Sequence, residues 1–229
     1  PVPGPITLCL MRSLKNPTIC SENEIRTFLP FKLLDYKEAI VRAMSREEQD
    51  WIATRWSDAY PPAHELAMKL HELKALPAYH DSYHIETSRK ASSLYKAFCQ
   101  VGGKSGWFNS NWMWRLRGVA DRILFGVGMT RGRRSSSDLR VNDVIDFWRV
   151  EDLQENKRLL LRAEMKVPGK AWLEFQIEEG EEKNRLTLTA HFDTHTLFGR
   201  LYWYSFLPFH YVIFKNLLKQ IEKKCDRFE

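Results

Sequence analysis

The most constraining feature of this sequence is a series of alternating segments followed directly by a long helical segment. Apolar side chains recur at every second position in residues 158–165, 171–178 and 185–192. A period of two places apolar side chains on one face of a strand and polar side chains on the other. Short turn sequences separate the three segments, which is typical of consecutive hairpins. We therefore predict an antiparallel sheet with one apolar face, with a further strand at residues 144–150.

The segment that follows this predicted sheet changes to a helical period. Residues 197–224 carry a row of apolar and aromatic side chains on one side of a helix and a row of lysines on the other. The first row comprises Trp203, Phe206, His210, Phe214, Leu217 and Ile221, and the second comprises Lys215, Lys219 and Lys223. Such a helix is amphipathic. We expect it to cover the apolar face of the sheet.

The remaining segments predict an α+β protein with two parts. Residues 83–89 alternate like a strand, and helical spacing follows at 92–100 and 111–125. Residues 1–79 show no alternation and predict a mainly helical region, with helices at 36–44, 45–56 and 63–73. We place the domain boundary after residue 79, so that residues 80–229 contain the sheet and the long helix.

The positive charge of the chain is concentrated in one stretch. The net charge is +6, and residues 104–134 hold seven basic residues and one acidic residue together with three tryptophans. Arg115 and Arg122, seven positions apart on the predicted helix, share a face that can meet an anionic group. A basic and aromatic surface can also bind nucleic acid. We favour a solvated helix face, because the pattern spans a single helix.

Neither a membrane span nor an oxidising compartment is indicated. The longest run without Lys, Arg, Asp or Glu near the C-terminus is residues 201–214, shorter than the ~20 residues that a membrane helix needs. We expect a buried helix there, with a helix lying at a membrane surface as the lesser alternative. The four cysteines form no C-x-x-C pair, which favours a reducing, cytoplasmic location.

No motif in the chain assigns a reaction. The glycines at 126, 128 and 132 have the wrong spacing for a dinucleotide fingerprint, and no nucleophile elbow is present. His80 and His84, or His191 with Asp193 and His195, have spacings that a metal could use. The first pair falls partly in a predicted loop and the second on the wet face of a strand. We therefore predict no metal site and leave the question of catalysis open.

Four motifs together resemble one family. They are the sequences at residues 126–134, 144–150, 163–175 and 199–210. In this order they resemble an uncharacterised bacterial domain family of the START-like, polyketide-cyclase-like superfamily. That resemblance covers about residues 80–226 and implies a helix-grip fold, in which an antiparallel sheet wraps a long C-terminal helix.

The same resemblance implies a larger protein. Members of that family typically follow an NAD(P)-binding domain like the short-chain dehydrogenases, and residues 1–79 resemble the last part of such a domain. The nucleotide-binding half is absent from this chain, which begins at Pro1. We therefore expect no cofactor in these residues, NAD(P) in a parent protein, and an upstream dehydrogenase-like domain as partner.

A curved sheet that grips one helix leaves a wedge suited to a small apolar ligand. We predict a pocket lined by Leu161, Phe175, Leu188, Trp203, Phe206 and His210. His210 lies on the apolar side of the helix, where a polar side chain needs a partner or a cavity. It is the candidate polar anchor or acid–base residue. Asp146 could orient it if the face with Asp146 points inward, which the sequence does not decide.

Three hypotheses follow for the function. The first is binding of a small, largely apolar molecule by a helix-grip domain. The second is the substrate domain of an NAD(P)-dependent oxidoreductase whose other half is missing here. The third is a packed docking module or a surface binder that uses the basic patch, because the many aromatic side chains could fill the wedge completely.

Overall fold

The protein divides into two compact units, Pro1–Ser45 and Arg46–Glu229, and each is described by itself. The domain boundary after residue 79 stays a prediction. The structure is a computed structural model. It describes residues 4–16, 24–48, 69–73, 75–102, 106–107, 119, 132–135 and 138–228.

The first unit is helical in its described residues. It contains α1 (Gly4–Ser13), α2 (Ile25–Phe28) and most of α3 (Tyr36–Glu48). A new helix was predicted to begin at Ser45, but α3 runs through Ser45 without a break. A single serine costs a helix interior too little to end it. Residues 49–56 of that predicted helix lie outside the described residues.

The second unit is built on a six-stranded antiparallel sheet with the strand order β1-β6-β5-β4-β3-β2. Strands β1 and β2 therefore form its two edges. The strands are β1 (Tyr79–Thr87), β2 (Val144–Ile145), β3 (Trp148–Gln154), β4 (Arg158–Ala163), β5 (Lys170–Glu178) and β6 (Asn184–Asp193).

The predicted alternation is confirmed in the three central strands. Leu161 of β4 lies opposite Leu173 of β5, and Phe175 of β5 lies opposite Leu188 of β6. These side chains are all buried on one face of the sheet. The first strand begins earlier than predicted, because its ladder with the long β6 starts at Tyr79, which pairs with Phe192.

The prediction of a single strand over residues 144–150 is wrong. It is a tight hairpin in which β2 and β3 pair through Ile145 and Trp148. Asp146 turns the chain with a φ of 54°. Aspartate tolerates this left-handed conformation better than most residues do. The alternating pattern concealed the turn, because all residues around it are buried.

The long helix has the predicted bounds. Helix α5 (Leu197–Lys224) begins after Thr196, whose hydroxyl accepts a hydrogen bond of 3.0 Å from the amide of Gly199. It packs along β1 and β6, and the shorter α4 (Ala91–Phe98) packs against α5 and β5. The antiparallel sheet, the long C-terminal helix and the helical segment before them confirm the predicted α+β helix-grip class.

Two other predicted helices have different outcomes. Of the helix expected at 63–73, the described part forms only a single 3-10 turn, Leu70–Glu72. Its main chain reaches the sheet, since the Leu70 amide donates to the Glu151 carboxylate at 2.6 Å. The helix expected at 111–125, which carries Arg115 and Arg122, lies outside the described residues.

Candidate functional site

The first strand and the last helix meet along a line of aromatic and polar side chains. Alternate residues of β1 are partly buried and face α5, whereas the residues between them are exposed. On α5, the residues that face β1 are spaced by seven and four positions, as one side of a helix requires. We call this line the β1–α5 seam. It consists of Tyr79, Asp81 and Tyr83 on β1, and of Trp203, His210 and Phe214 on α5.

A carboxylate and an imidazole face each other in the middle of the seam. The Nδ1 atom of His210 lies 3.4 Å from Oδ2 of Asp81, and the two side chains keep only 17% and 18% of their surface exposed. Both atoms are buried, and neither forms a hydrogen bond within the described part of the chain. The distance allows an ion pair or, after a small adjustment, a hydrogen bond.

Aromatic rings hold the imidazole in place. The His210 ring stacks on Phe214 with 4.8 Å between ring centroids and 10° between planes. On its other side it meets the Trp203 ring at 5.3 Å in an edge-on arrangement. The imidazole therefore packs between two aromatic rings.

The electrostatic setting favours an uncharged His210. Burial lowers the pKa of His210 below its usual value, and the Asp81 carboxylate opposes this shift without cancelling it. The pKa of Tyr83 is raised, first by burial and then by the same carboxylate. The imidazole of His210 and the phenol of Tyr83 are therefore uncharged at neutral pH.

Two tyrosine pairs flank the Asp81–His210 pair. Tyr79 meets Tyr204 edge-on at 6.2 Å, and Tyr83 meets Tyr211 edge-on at 6.0 Å. Tyr204 and Tyr211 are exposed. Aromatic side chains thus line the seam from its buried floor to the protein surface.

The six predicted pocket residues have two kinds of surroundings. Leu161, Phe175 and Leu188 are completely buried, and Phe175 packs against Phe98 of α4 at 5.5 Å. A side chain with no exposed surface leaves no water-sized space beside it. A ligand would therefore contact these three residues only after neighbouring side chains had moved.

The other three predicted pocket residues lie on α5. Trp203 stacks on Phe192 at 5.6 Å with 6° between planes, so it fills the sheet side of the helix there. Phe206 is half-buried and contacts Tyr202 at 4.6 Å, and His210 is the half-buried residue of the seam. The residues of the predicted pocket that a small molecule can approach are thus Phe206 and His210.

The partner of His210 is Asp81 and not Asp146. The buried Asp146 carboxylate accepts a hydrogen bond of 2.9 Å from the indole nitrogen of Trp107. It lies in the turn between β2 and β3, at the sheet edge opposite β1. Sequence reasoning missed Asp81. The alternation of Tyr79, Asp81, Tyr83 and Ile85 was the signal that places a carboxylate on the helix-facing side.

Two of the seven basic residues between 104 and 134 have internal roles. Arg133 donates to the carbonyl oxygens of Cys99 and Val101, each at 2.9 Å. Arg134 donates to both carboxylate oxygens of Asp143, at 2.9 and 2.8 Å, and this bonding raises its pKa. These two buried guanidinium groups are not available to nucleic acid. The predicted anion contacts Arg115 and Arg122 lie outside the described residues.

The sheet face away from α5 also holds buried charges, although its alternation predicted a wetter surface. Arg149 donates to both carboxylate oxygens of Glu164, at 2.6 and 3.1 Å. Glu151 accepts a hydrogen bond of 3.1 Å from the Trp172 indole and lies 3.6 Å from Arg162. Each of these buried charged side chains therefore has a partner of opposite charge on the same face of the sheet.

The histidines considered for metal binding have other surroundings. His191 lies 2.8 Å from the Glu174 carboxylate, and His80 and His84 are exposed on β1. Burial alone would raise the pKa of Glu174, but His191 and Arg158 outweigh it and hold that pKa below its usual value. Over the described ranges, no three metal-ligating side chains come together.

No helix in the described part of the chain combines the length and the apolar character that crossing a membrane requires.

Comparison with known proteins assigns the sheet and the long helix to a family. Residues 75–217, more than half of the chain, match the model of the family described as "Protein of unknown function (DUF2867)". The chain belongs to this family. No curated protein matches the sequence significantly.

Several solved structures are similar to part of this chain at low sequence identity. The Aha1 dimer from Colwellia psychrerythraea is 15% identical, with a TM-score of 0.39, over 63% of this chain and 96% of that one. The Zhui aromatase/cyclase from Streptomyces sp. R1128 is 12% identical, with a TM-score of 0.41, over 65% and 94%. CalU16 from Micromonospora echinospora is 9% identical, with a TM-score of 0.32, over 65% and 84%. Similarity at these levels transfers no function to this chain.

Proposed function

We propose that this DUF2867 protein binds a small, largely apolar molecule between α5 and the sheet, at the β1–α5 seam. The observation that carries the proposal is the half-buried Asp81–His210 pair set among aromatic rings. Apolar sites with a few polar groups are typical of small-molecule binding. Phe206 and His210 form the approachable rim, Trp203 lies beneath it, and Leu161, Phe175 and Leu188 form a floor that must rearrange to admit the ligand.

The aromatic character of the seam supports a flat ligand. The rings of Trp203 and Phe214 are buried against β1, and the exposed ring of Tyr204 contacts Tyr79. Aromatic rings bind one another with a preference for offset or edge-on contacts and gain about 0.5–1.5 kcal/mol beyond the burial of area. An aromatic ligand would gain contacts of the same kind with these rings.

Calorimetric titration with 2-methoxynaphthalene, an apolar aromatic probe without a hydroxyl group, tests this proposal. We expect saturable binding that Trp203→Leu weakens. Trp172→Leu is the matched control, because Trp172 is an equally buried tryptophan on the opposite face of the sheet. Native mass spectrometry of the purified protein would also reveal a retained small molecule. Absence of binding by both methods would favour a packed docking module.

We also propose that this module belongs to a larger NAD(P)-binding, dehydrogenase-like protein. Its support is the resemblance of residues 1–79 together with the exposed apolar side chains of the first unit, among them Leu8, Leu10 and Leu34. Exposed apolar surface of this kind is usually covered by another protein surface. A polypeptide that restores an upstream nucleotide-binding half should bind NADPH in calorimetry, and this chain alone should not. Failure of the longer polypeptide to bind NADPH would remove the dehydrogenase setting and the oxidoreductase alternative.

A further inference from the structure

The two facing atoms of the seam have unused hydrogen-bonding capacity. Oδ2 of Asp81 and Nδ1 of His210 are buried without a hydrogen bond in the described residues. Because burying unbonded polar atoms costs stability, the pair is stabilised by a small adjustment that lets Nδ1–H donate to Oδ2. The side chains around them are mostly apolar: Ala190 lies opposite Asp81 on β6, and Trp203 and Phe214 enclose the imidazole.

The charges that face His210 determine which of its nitrogens carries the proton. From β1 these groups are Asp81 and, next to it, Tyr83, whereas the described neighbours on α5 are uncharged rings. A carboxylate can only accept hydrogen bonds, so it favours the imidazole form with the proton on Nδ1. The Nε2 atom of that form is then a hydrogen-bond acceptor. No hydrogen bond to the His210 ring from another described residue competes for it.

We propose that Asp81 positions His210 as a hydrogen-bond acceptor that selects aromatic ligands carrying a hydroxyl group. This inference rests on the proposed function and specifies the chemical class of its ligand. Asp81 fixes the imidazole with Nδ1 protonated, and Nε2 accepts the hydrogen bond of a phenolic or enolic hydroxyl. The adjacent rings contact the apolar part of the same molecule.

Two probes of nearly the same shape test the selection. The first is 2-naphthol, which carries a hydroxyl group, and the second is 2-methoxynaphthalene, in which a methyl ether replaces it. We expect the wild-type protein to bind 2-naphthol about tenfold more tightly in calorimetry, the usual effect of one hydrogen bond. In His210→Phe, which keeps an aromatic ring, the two probes should bind equally.

Matched variants separate this effect from a general loss of folding. His84→Phe, at an exposed position of β1, should keep the tenfold preference that His210→Phe loses. Asp81→Asn should reduce the preference, because an amide does not fix the Nδ1-protonated form. A preference that persists in His210→Phe would overturn the proposal.

A measurement without ligand tests the pair separately. Nitrogen-15 NMR distinguishes the two neutral forms of an imidazole, and we expect His210 to carry its proton on Nδ1 in the wild type and to shift toward Nε2 in Asp81→Asn. An Nε2-protonated His210 in the wild type would overturn the positioning by Asp81. If neither naphthalene probe binds, the proposed function fails and the ligand selection fails with it. Binding of both probes with equal affinity overturns only the present inference.

Discussion

The outer face of the sheet contains a buried pair of oppositely charged side chains. Arg149 and Glu164 keep only 3% and 0% of their side-chain surface exposed, and they contact through two hydrogen bonds. Removal of one partner from such a pair leaves the other charge buried and unpaired. The pair is therefore expected to matter for stability far more than its equivalents at the surface.

Glu164→Gln should lower the free energy of unfolding by about 3–5 kcal/mol, since the Arg149 charge loses its counterion in a buried site. Urea denaturation of the two proteins measures the difference. Glu38→Gln is the control, because Arg42 and Glu38 form an exposed pair with 62% and 42% of their side chains accessible. The control should change stability by less than ~0.5 kcal/mol. Equal losses in both variants would contradict the structural assignment.

His210 should make the stability of the protein depend on pH. Its pKa in the folded state lies below the ordinary value of 6.5, so below that pH the unfolded chain binds a proton that the folded protein refuses. Stability conferred by the neutral form is thus lost as pH falls through 6.5 toward the folded-state pKa. Between pH 7.5 and 5.5 the wild type should lose stability relative to His210→Phe, by at most ~1.4 kcal/mol per pH unit.

Two further variants check the origin of this dependence. Asp81→Asn removes the charge that raises the pKa of His210 and should extend the loss to lower pH. His84→Gln, at an exposed site, should keep the wild-type pH profile of unfolding free energy. Identical profiles for the wild type and His210→Phe would show that the imidazole is not buried as described.

At the scale of elements, the junction between β6 and α5 requires a glycine. A Cβ atom at Gly199 would overlap the Thr194 side chain and lie 2.5 Å from the carbonyl oxygen of Pro168. The backbone of the first turn of α5 therefore packs directly onto the preceding loop. A side chain at position 199 would therefore have to displace this loop or the start of α5.

Gly199→Ala should destabilise the protein by about 1–3 kcal/mol, the usual cost of an added methyl group in a packed site. Thermal unfolding followed by circular dichroism measures it. Leu201→Ala, an exposed position in the same turn of α5, should have a much smaller effect. A larger loss at Leu201 would mean that this part of the helix surface is covered in solution.

At the scale of the whole molecule, the two units differ in how much apolar surface they bury. The second unit has a continuous core between the sheet, α4 and α5. In the first unit the apolar side chains of α1 and α3, including Leu8, Leu10 and Ile40, are exposed. Helices gain most of their stability from packing an apolar face. The helices of the first unit should therefore open more readily than the sheet.

Hydrogen exchange on the full chain measures this contrast. We expect the amides of β4 and β5, the two central strands, to exchange at least about a hundredfold more slowly than those of α1. Those of β1 should lie between, because an edge strand is paired on one side only. Amides of α1 that exchange as slowly as those of β5 would show that the first unit has a stable core.

The sequence was sufficient for the parts of the fold that depend on local periodicity. The alternation around Leu161, Phe175 and Leu188 predicted the strands and their buried face, and the helical period predicted the bounds of α5. The turn at Asp146 was missed, because buried residues on both sides of it imitate a continuous strand. The burial of Arg149 and Glu164 was missed as well, since a period of two identifies a face and does not say what covers it.

The candidate site was predicted in part. His210 was identified because a polar residue interrupts an apolar helix face, a local signal. Its partner Asp81 depends on the register between β1 and β6 and on the position of α5 across both, and neither can be read from local spacing. The complete burial of Phe175 in the predicted pocket reflects packing by Phe98 of α4, an element distant from β5 in the sequence.

Strand β1 opens the sheet in chain order and α5 closes it, so Asp81 and His210 leave the ribosome at nearly opposite ends of synthesis of this unit. A nascent chain that has not yet released its last helix exposes Asp81 to water and has no imidazole to place beside it. A premature stop codon between positions 194 and 210 would leave all six described strands encoded and yet abolish the pair.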